Sequence, residues 1–509
     1  MRSLKNMDSS QQIKTGAIIS YISIGINILI GLIYTPWMIH SIGKENFGLY
    51  TLAMSVITFF VFDFGLSQAV QRFIAKYLAE GKSEKVSNCL GLVAKLYFWL
   101  DIALLILLTV IYFFISSIYK ELTPDEIEKF KVIYYIASIF AVLSFPFIPL
   151  NGILGANEKF IQLKSCDLIH KLLIVGMMSV CLLFGYGLYA LVTVNVVSGI
   201  LTIVLKLIVL KRYTAIRINI QYKDKTEFKS IMSFSGWVTV IALSQRMIFN
   251  IAPTILGIFT GSAAIAVFGV ASTIESYVFT FSSAINGLFM PKVARKVAAG
   301  EDLLPLMIKV GRIQLFVVTL VIFGFISIGK SFIHNWVGSS FSEAYYGATL
   351  LILPSLLHLP QEIADQALSV VGYVKQKAVA FVVMAVSNII FAFILAPLYG
   401  MIGICIAISI SYFVRTIVLD IIYNKKLKLR VISFLKESYL KMGIPLLFTL
   451  IFGISINYLI PLDGWFGIIL KGLLFVAEYC FITWFLVMNN YEKDLIVSSL
   501  RDLKKIIKD

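Results

Sequence analysis

Residues 43–82 read GKENFGLYTLAMSVITFFVFDFGLSQAVQRFIAKYLAEGK. A short polar turn leads into a run of apolar residues long enough to cross a bilayer. Asp63 sits about 16 residues into the span this run predicts, at 47–72. Gln68, Gln71 and Arg72 follow within it, and Lys76, Lys82 and Lys85 lie just past its end. An acid at mid-span and a basic skirt at one end are the marks of a working transport helix. Residues 261–300, GSAAIAVFGVASTIESYVFTFSSAINGLFMPKVARKVAAG, repeat the layout about 220 residues later. Glu275 takes the acid position, and FIAKYLAEG is echoed by PKVARKVAAG. A long internal repeat in an apolar chain outlines a two-lobed transporter.

Composition places the rest of the 509 residues in the same setting. Hydrophobic residues make up 59%, charged residues 14%, and mean hydropathy is +0.90. Soluble domains carry about 25% charged residues, so the chain reads as a polytopic membrane protein. The formal charge of +16 belongs to basic loops on one side of the membrane rather than to a nucleic-acid surface. The five cysteines have no metal or redox spacing and read as small core residues. The four histidines share no spacing, and no phosphate-cradling loop of the P-loop kind appears. The reading is a non-enzyme with neither cofactor nor metal.

Fourteen spans are predicted. The first twelve are about 15–40, 47–72, 88–118, 130–154, 167–185, 187–210, 230–258, 262–290, 306–329, 344–370, 377–396 and 398–422. The last two are about 438–459 and 465–488. With the N-terminus inside, 35 of the 44 Lys and Arg residues fall on inside segments and five outside. The remaining four, Lys95, Arg246, Arg415 and Lys471, fall within spans. That alternation supports the count and puts both termini in the cytoplasm. Spans five and six contain GYGLYALVTVNVVSGI (185–200), and spans eleven and twelve contain YGMIGICIAISISYFV (399–414). The predicted organisation is an all-α fold with a lobe at 1–210, a cytoplasmic linker at 211–229 and a second lobe at 230–422. A two-helix appendage at 423–488 and a cytoplasmic tail at 489–509 complete it. The acidic segment 119–130 is read as the longest outer loop.

Charged side chains at bilayer depth face a cavity or a partner. Arg246, near mid-depth in SQRMIFNIAP and flanked by Gln245 and Asn250, is the first candidate; the alternative for it is an ion pair with Glu275. Arg415, Arg72 and Lys95 are the other basic candidates. Lys471 is expected to pair with Glu478. Asp63, Glu275, Glu362 and Asp365 are candidates for ion coupling or gating, and pairing with a base or capping a kink before Gly65 are the alternatives for Asp63. Pro354 and Pro360 break span ten at PQEIADQ and leave backbone carbonyls without intrahelical partners.

The 42–82 segment, the GYGLYALV turn (185–192) and APTILGIFTGSAAIAVFGVAST (252–273) resemble polysaccharide flippases of the Wzx type. These belong to the superfamily that also holds multidrug and toxin extruders and lipid II flippases. The resemblance spans nearly the whole chain. It implies two six-helix lobes around a central cavity, a MATE-like fold and alternating access. The implied cargo is an oligosaccharide repeat on undecaprenyl diphosphate, moved from the cytoplasmic to the outer leaflet for O-antigen, capsule or another surface polymer. On that reading Arg246, Arg415, Arg72, Lys95, Gln245 and Asn250 face the diphosphate and glycan. A proton or sodium gradient is the expected drive. Membrane lipids and polysaccharide polymerase or chain-length machinery are the expected partners, in a bacterial cytoplasmic membrane. A lipid II-type flippase, a drug/cation antiporter and a membrane polysaccharide polymerase are the alternatives.

Overall fold

The computed structural model describes residues 25, 28–214, 218–283, 289–494 and 497. Asn27, Arg217, Asn286 and most of the tail lie outside the described residues, as does the start of the first predicted span. Among the described residues nearly everything outside the short turns is helical. Ten helical runs are long and apolar enough to cross a membrane, and Ile28–Ile42 (α1) is a shorter apolar helix. Large apolar side chains such as Trp99, Phe113, Phe466 and Leu473 are left exposed, as in a protein whose solvent is lipid.

The chain gathers into two compact units. One comprises the described residues up to Gly269 together with Phe381–Ile408; the other comprises Val270–Ala380 together with residues from Ser409 onward. Two helices run on from one unit into the other. They are α11 (Ser262–Ser283) and α17 (Val374–Leu427).

In the first unit, α2 (Lys44–Phe60) and α3 (Leu66–Ala79) take the place of the single predicted span 47–72. The helix breaks because Phe64 and Gly65 both have positive φ, 48° and 65°. Helix α4 (Ser83–Ile118) is continuous. Helix α5 starts at Pro124, six residues earlier than predicted, inside the segment read as a loop. Thr123 and Glu126 form a capping box there: Thr123 Oγ1 accepts from the Glu126 amide at 3.3 Å, and Glu126 Oε2 accepts from the Thr123 amide at 2.8 Å. Helix α5 (Pro124–Ser144) leads through Pro146 and Pro149 into α6 (Leu150–Ala156). Helices α7 (Phe160–Leu183) and α8 (Leu188–Tyr213) follow. Segment 218–224 then lies on α4, where Asn219 is bonded to Asn88 at 2.8 Å and to the Ser87 carbonyl at 3.0 Å. A Cβ at Gly91 would run into the Asn219 carbonyl, so this approach requires glycine. Helices α9 (Lys225–Phe249) and α10 (Ala252–Phe259) together fill the seventh predicted span.

In the second unit, α12 (Met290–Ala298) is a short amphipathic helix leading to α13 (Leu304–Val337). The tenth predicted span is broken into α14 (Glu343–Ile352), α15 (Ser355–His358) and α16 (Glu362–Val371). Gly400 interrupts α17 with φ 55° and ψ −130°. A Cβ at Gly403 would run into the Leu395 carbonyl, eight residues back. A straight helix holds such residues about 12 Å apart. The chain therefore turns back at Gly400, and α17 contains the two predicted spans 377–396 and 398–422. Helices α18 (Val431–Leu435), α19 (Lys441–Leu459) and α20 (Gly464–Ile482) lie in the segment 423–488. It packs on α13: Tyr479 donates to the Phe316 carbonyl at 2.8 Å, and Asn457 donates to the Ser327 carbonyl. Neither carboxylate oxygen of Glu478 has a hydrogen-bond partner among the described residues, so the expected Lys471–Glu478 pair is not formed. Seven residues separate the two by about two turns, roughly 10 Å along the axis, too far for an ion pair on one straight helix.

Candidate functional site

The break between α2 and α3 leaves carbonyls at the end of one helix and amides at the start of the next without partners. Two predicted site residues fill those vacancies. Asp63 Oδ1 accepts from the Ser67 amide at 2.9 Å and from the Tyr97 hydroxyl at 3.1 Å. Arg246, half-buried on α9, donates from its guanidinium to the Thr58 carbonyl in the last turn of α2. Its head also lies 5.4 Å from the centre of the Phe62 ring. The acid thus sits at the positive N-terminus of α3 and the base at the negative C-terminus of α2, both matched to the helix dipoles. Helix α9 is stitched to the break elsewhere too. Thr239 donates to the Phe64 carbonyl, and a Cβ at Gly65 would come within 2.9 Å of Val238. Gly65 therefore has two reasons to be glycine.

On the same pair of helices, Arg72 and Lys76 of α3 face Lys229, Ser230 and Ser233 of α9 around a cavity of about 740 Å³. Arg72 and Lys76 are four residues apart and share a face. Lys229 lies 17 residues before Arg246 on α9, about 25 Å along the axis at the helical rise. At the foot of this region the Tyr77 hydroxyl donates to Glu227 at 2.7 Å. Asp224 caps α9, accepting from the amides of Glu227 at 3.0 Å and Thr226 at 2.7 Å, and those bonds hold its carboxyl below the usual carboxylate range.

The other predicted residues of this unit have narrower settings. Lys95 donates to the Tyr222 carbonyl at 2.9 Å and so ties segment 218–224 to α4. Gln245 is exposed beside Arg246, and Asn250 ends α9 with its amide on the Arg246 carbonyl at 3.0 Å.

Glu275, Glu362, Asp365 and Arg415 belong to the second unit. Arg415 is buried, with its guanidinium 4.7 Å from the centre of the Tyr412 ring. Lys377 pairs with Asp365 at 2.5 Å. The carbonyl of Leu356, deprived of its helical donor by Pro360, accepts instead from the Tyr439 hydroxyl at 2.6 Å. The broken span is thus satisfied by a side chain from the segment that opens the appendage. The His358 ring stacks on Tyr412 at 5.4 Å and on Phe279 at 6.5 Å.

The sequence reading passed over two groups. His358 is one. The other is a polar network on α7 and α8: Lys206 bonds Asp167 at 3.0 Å and Asn151 at 2.9 Å, and His170 bonds Thr202 at 2.8 Å. Asp167 and His170, three residues apart within a predicted span, were the available signal. Among the described residues no group of three or more His, Cys, Asp or Glu could hold a metal ion.

Comparison with known proteins agrees with this architecture. EpsK of Bacillus subtilis (strain 168), an uncharacterized membrane protein, is 20% identical over 500 residues, covering 94% of this chain and 96% of that protein. The inward closed conformation of the lipid II flippase MurJ superposes with a TM-score of 0.72 at 15% identity, over 94% of this chain and 99% of that one. An inward-facing multidrug resistance MATE family transporter of the MOP superfamily gives 0.65 at 17% identity, over 81% of this chain and 98% of that one. These likenesses establish the MATE-like polytopic fold. The model of the polysaccharide biosynthesis protein family matches residues 13–294, more than half of the sequence, and the chain belongs to that family.

Proposed function

We propose that the chain is a flippase that carries a polyprenyl-diphosphate-linked oligosaccharide across the cytoplasmic membrane of a bacterium, as the polysaccharide biosynthesis family and the fold it shares with MurJ support. The observation that carries this reading is the basic track along α3 and α9. A cavity lined by Arg72, Lys76 and Lys229 lies about 25 Å along the helix from Arg246 at the broken centre of α2 and α3. A diphosphate cannot enter hydrocarbon without neutralisation, and guanidinium groups bind phosphate through paired N–H donors. The three basic groups at the cavity take up the diphosphate, and Arg246 receives it at mid-depth. Both termini lie in the cytoplasm, and the polymer is a surface polysaccharide of the O-antigen or capsule kind. Energy comes from a proton or sodium gradient acting on the Glu275, Glu362 and Asp365 region. The working partners are membrane lipids and the polymerase that consumes the flipped repeat. A lipid II-type cargo is the second reading, because the likeness to MurJ takes in 94% of the chain.

The test is cellular. The gene is deleted and complemented with wild type, Arg246→Ala or Arg72→Ala/Lys229→Ala. Surface polysaccharide and lipid-linked repeat on the cytoplasmic leaflet are then measured. Loss of surface glycan with accumulated lipid-linked repeat, rescued by wild type and not by Arg246→Ala, is the expected result. Normal glycan with altered drug sensitivity would overturn the reading in favour of a drug/cation antiporter.

A further inference from the structure

The second unit holds a basic cavity of its own, of about 760 Å³. Its walls are α12, the first turns of α13 and the segment from Asn489 to Glu492. Lys292 and Lys296 come from α12, Lys309 and Arg312 from α13. The tail segment is fixed in place from beneath. Arg312 and Glu492 form a buried pair, Nε to Oε1 at 2.6 Å, with a second bond from Nη2 to Oε2 at 3.1 Å. Arg312 also donates to the Val487 carbonyl at 3.0 Å. Asn489 and Glu492 cap each other, amide to carboxylate and amide to side-chain oxygen, both at 2.9 Å. This spends the charge of Arg312 and of Glu492 on holding the tail, and leaves three lysines around the opening. Lys296 leans on Glu301 at the surface. Lys292 and Lys309 have no acidic partner within 4 Å among the described residues, and Lys309 lies 3.4 Å from the centre of the exposed Tyr491 ring.

We propose that this cavity binds the headgroup of an anionic phospholipid. Lys309 is five residues into a membrane-spanning helix, about 8 Å from its start, which is headgroup depth. A lysine laid on a tyrosine at that depth is the amphipathic pairing that favours the membrane interface. Ammonium groups from two helices line one cavity, which suits a phosphate headgroup, while the half-buried Ile308 at the cavity wall meets the acyl chains. The bound lipid bridges α12, α13 and the segment from Asn489 to Glu492, and so couples the anionic charge of the leaflet to the packing of that segment. The inference does not depend on the cargo assigned above.

Full-length protein in mild detergent is titrated with phosphatidylglycerol, cardiolipin, phosphatidylethanolamine and undecaprenyl phosphate, and retained lipid is read by native mass spectrometry. Wild type is compared with Lys292→Ala/Lys309→Ala, with Lys292→Arg/Lys309→Arg and with Lys120→Ala/Lys131→Ala, which removes equal charge elsewhere. The expected result is retention of one anionic phospholipid in preference to phosphatidylethanolamine. The alanine pair at the cavity weakens it about tenfold or more, and the arginine pair and the distant pair leave it unchanged. Equal loss in the distant pair, no loss in the cavity pair, or displacement of the phospholipid by equimolar undecaprenyl phosphate would each overturn the proposal. Thermal midpoints recorded alongside identify any variant that has lost its fold.

Discussion

Replacing Arg246 by alanine separates a residue that carries cargo from one that also holds the broken helix together. The side chain donates to the Thr58 carbonyl and covers the Phe62 ring at 5.4 Å. A hydrogen bond from a charged donor is worth about 1.5–3 kcal/mol, a partly exposed cation–π contact about 0.5–1, and a base at a helix C-terminus about 0.3–1. These overlap at one guanidinium, so Arg246→Ala is expected to cost about 2–3 kcal/mol of stability. Arg246→Lys keeps the charge and its favourable place at the end of α2 and loses the planar fork. It should recover about half of that loss. Denaturant titration in fixed mixed micelles, followed by tryptophan fluorescence, gives the two differences. The cellular flipping assay gives transport for the same variants. If the residue serves cargo as well, Arg246→Lys loses only about half as much stability as Arg246→Ala yet is as far from wild type in transport. An Arg246→Ala protein within about 0.5 kcal/mol of wild type would refute the capping argument, because that is the range of a surface substitution with no specific partner.

Gly65→Ala places a side chain at φ 65° and within 2.9 Å of Val238, so the same titration should show a loss of about 2 kcal/mol or more. Tyr439→Phe removes the donor to the Leu356 carbonyl that Pro360 leaves open, and should cost about 1–3 kcal/mol with packing otherwise unchanged. The capping carboxylate of Asp224 has a lowered pKa, first from the Glu227 amide and then from the Thr226 amide. Its stabilisation is therefore present above the unfolded-state value, about 3.9, and is lost as pH falls through the lower folded-state value. Thermal midpoints of wild type and Asp224→Asn, compared from pH 6 down to pH 3, should differ most at the high end and converge at the low end.

The spans were legible because a 20-residue apolar run has few other uses. The interruptions were legible only where proline marks them. Pro354 and Pro360 announced the broken tenth span. Phe64 announced nothing, since a non-glycine residue at positive φ is held there by surrounding structure that no local pattern reveals. The start of α5 was missed for a different reason: TPDE in an acidic segment looks like a loop by composition and is a capping box by spacing. Among the site residues, Asp63 was readable as coupling acid, partner of a base or cap, and the structure supplies the amide it caps. Lys95 looked like a basic group available to the cavity. Its partner is a carbonyl 127 residues away in sequence, which no spacing rule reaches.

The division of labour at the break explains how a chain can keep a charge at bilayer depth. An arginine in hydrocarbon is costly unless something there needs its charge. A continuous helix offers nothing, because its backbone groups are consumed internally. Breaking the span between Phe60 and Leu66 creates two helix ends of opposite sign at the same depth, one receiving Arg246 and the other Asp63. The acid is then held by the Ser67 amide and the Tyr97 hydroxyl and the base by the Thr58 carbonyl, and among the described residues the two form no ion pair within 4 Å. That matters for phosphate binding: a guanidinium spent on a carboxylate has lost its charge to that partner, whereas the Thr58 carbonyl takes only one of its five N–H groups. On the function proposed above, the cation thus has most of its donors left for an anion arriving along α9. Asp63→Asn tests this directly. If the acid serves only its helix end, the amide still accepts from Ser67 and transport persists. If the acid instead sets the charge seen by the cargo, transport changes while stability does not.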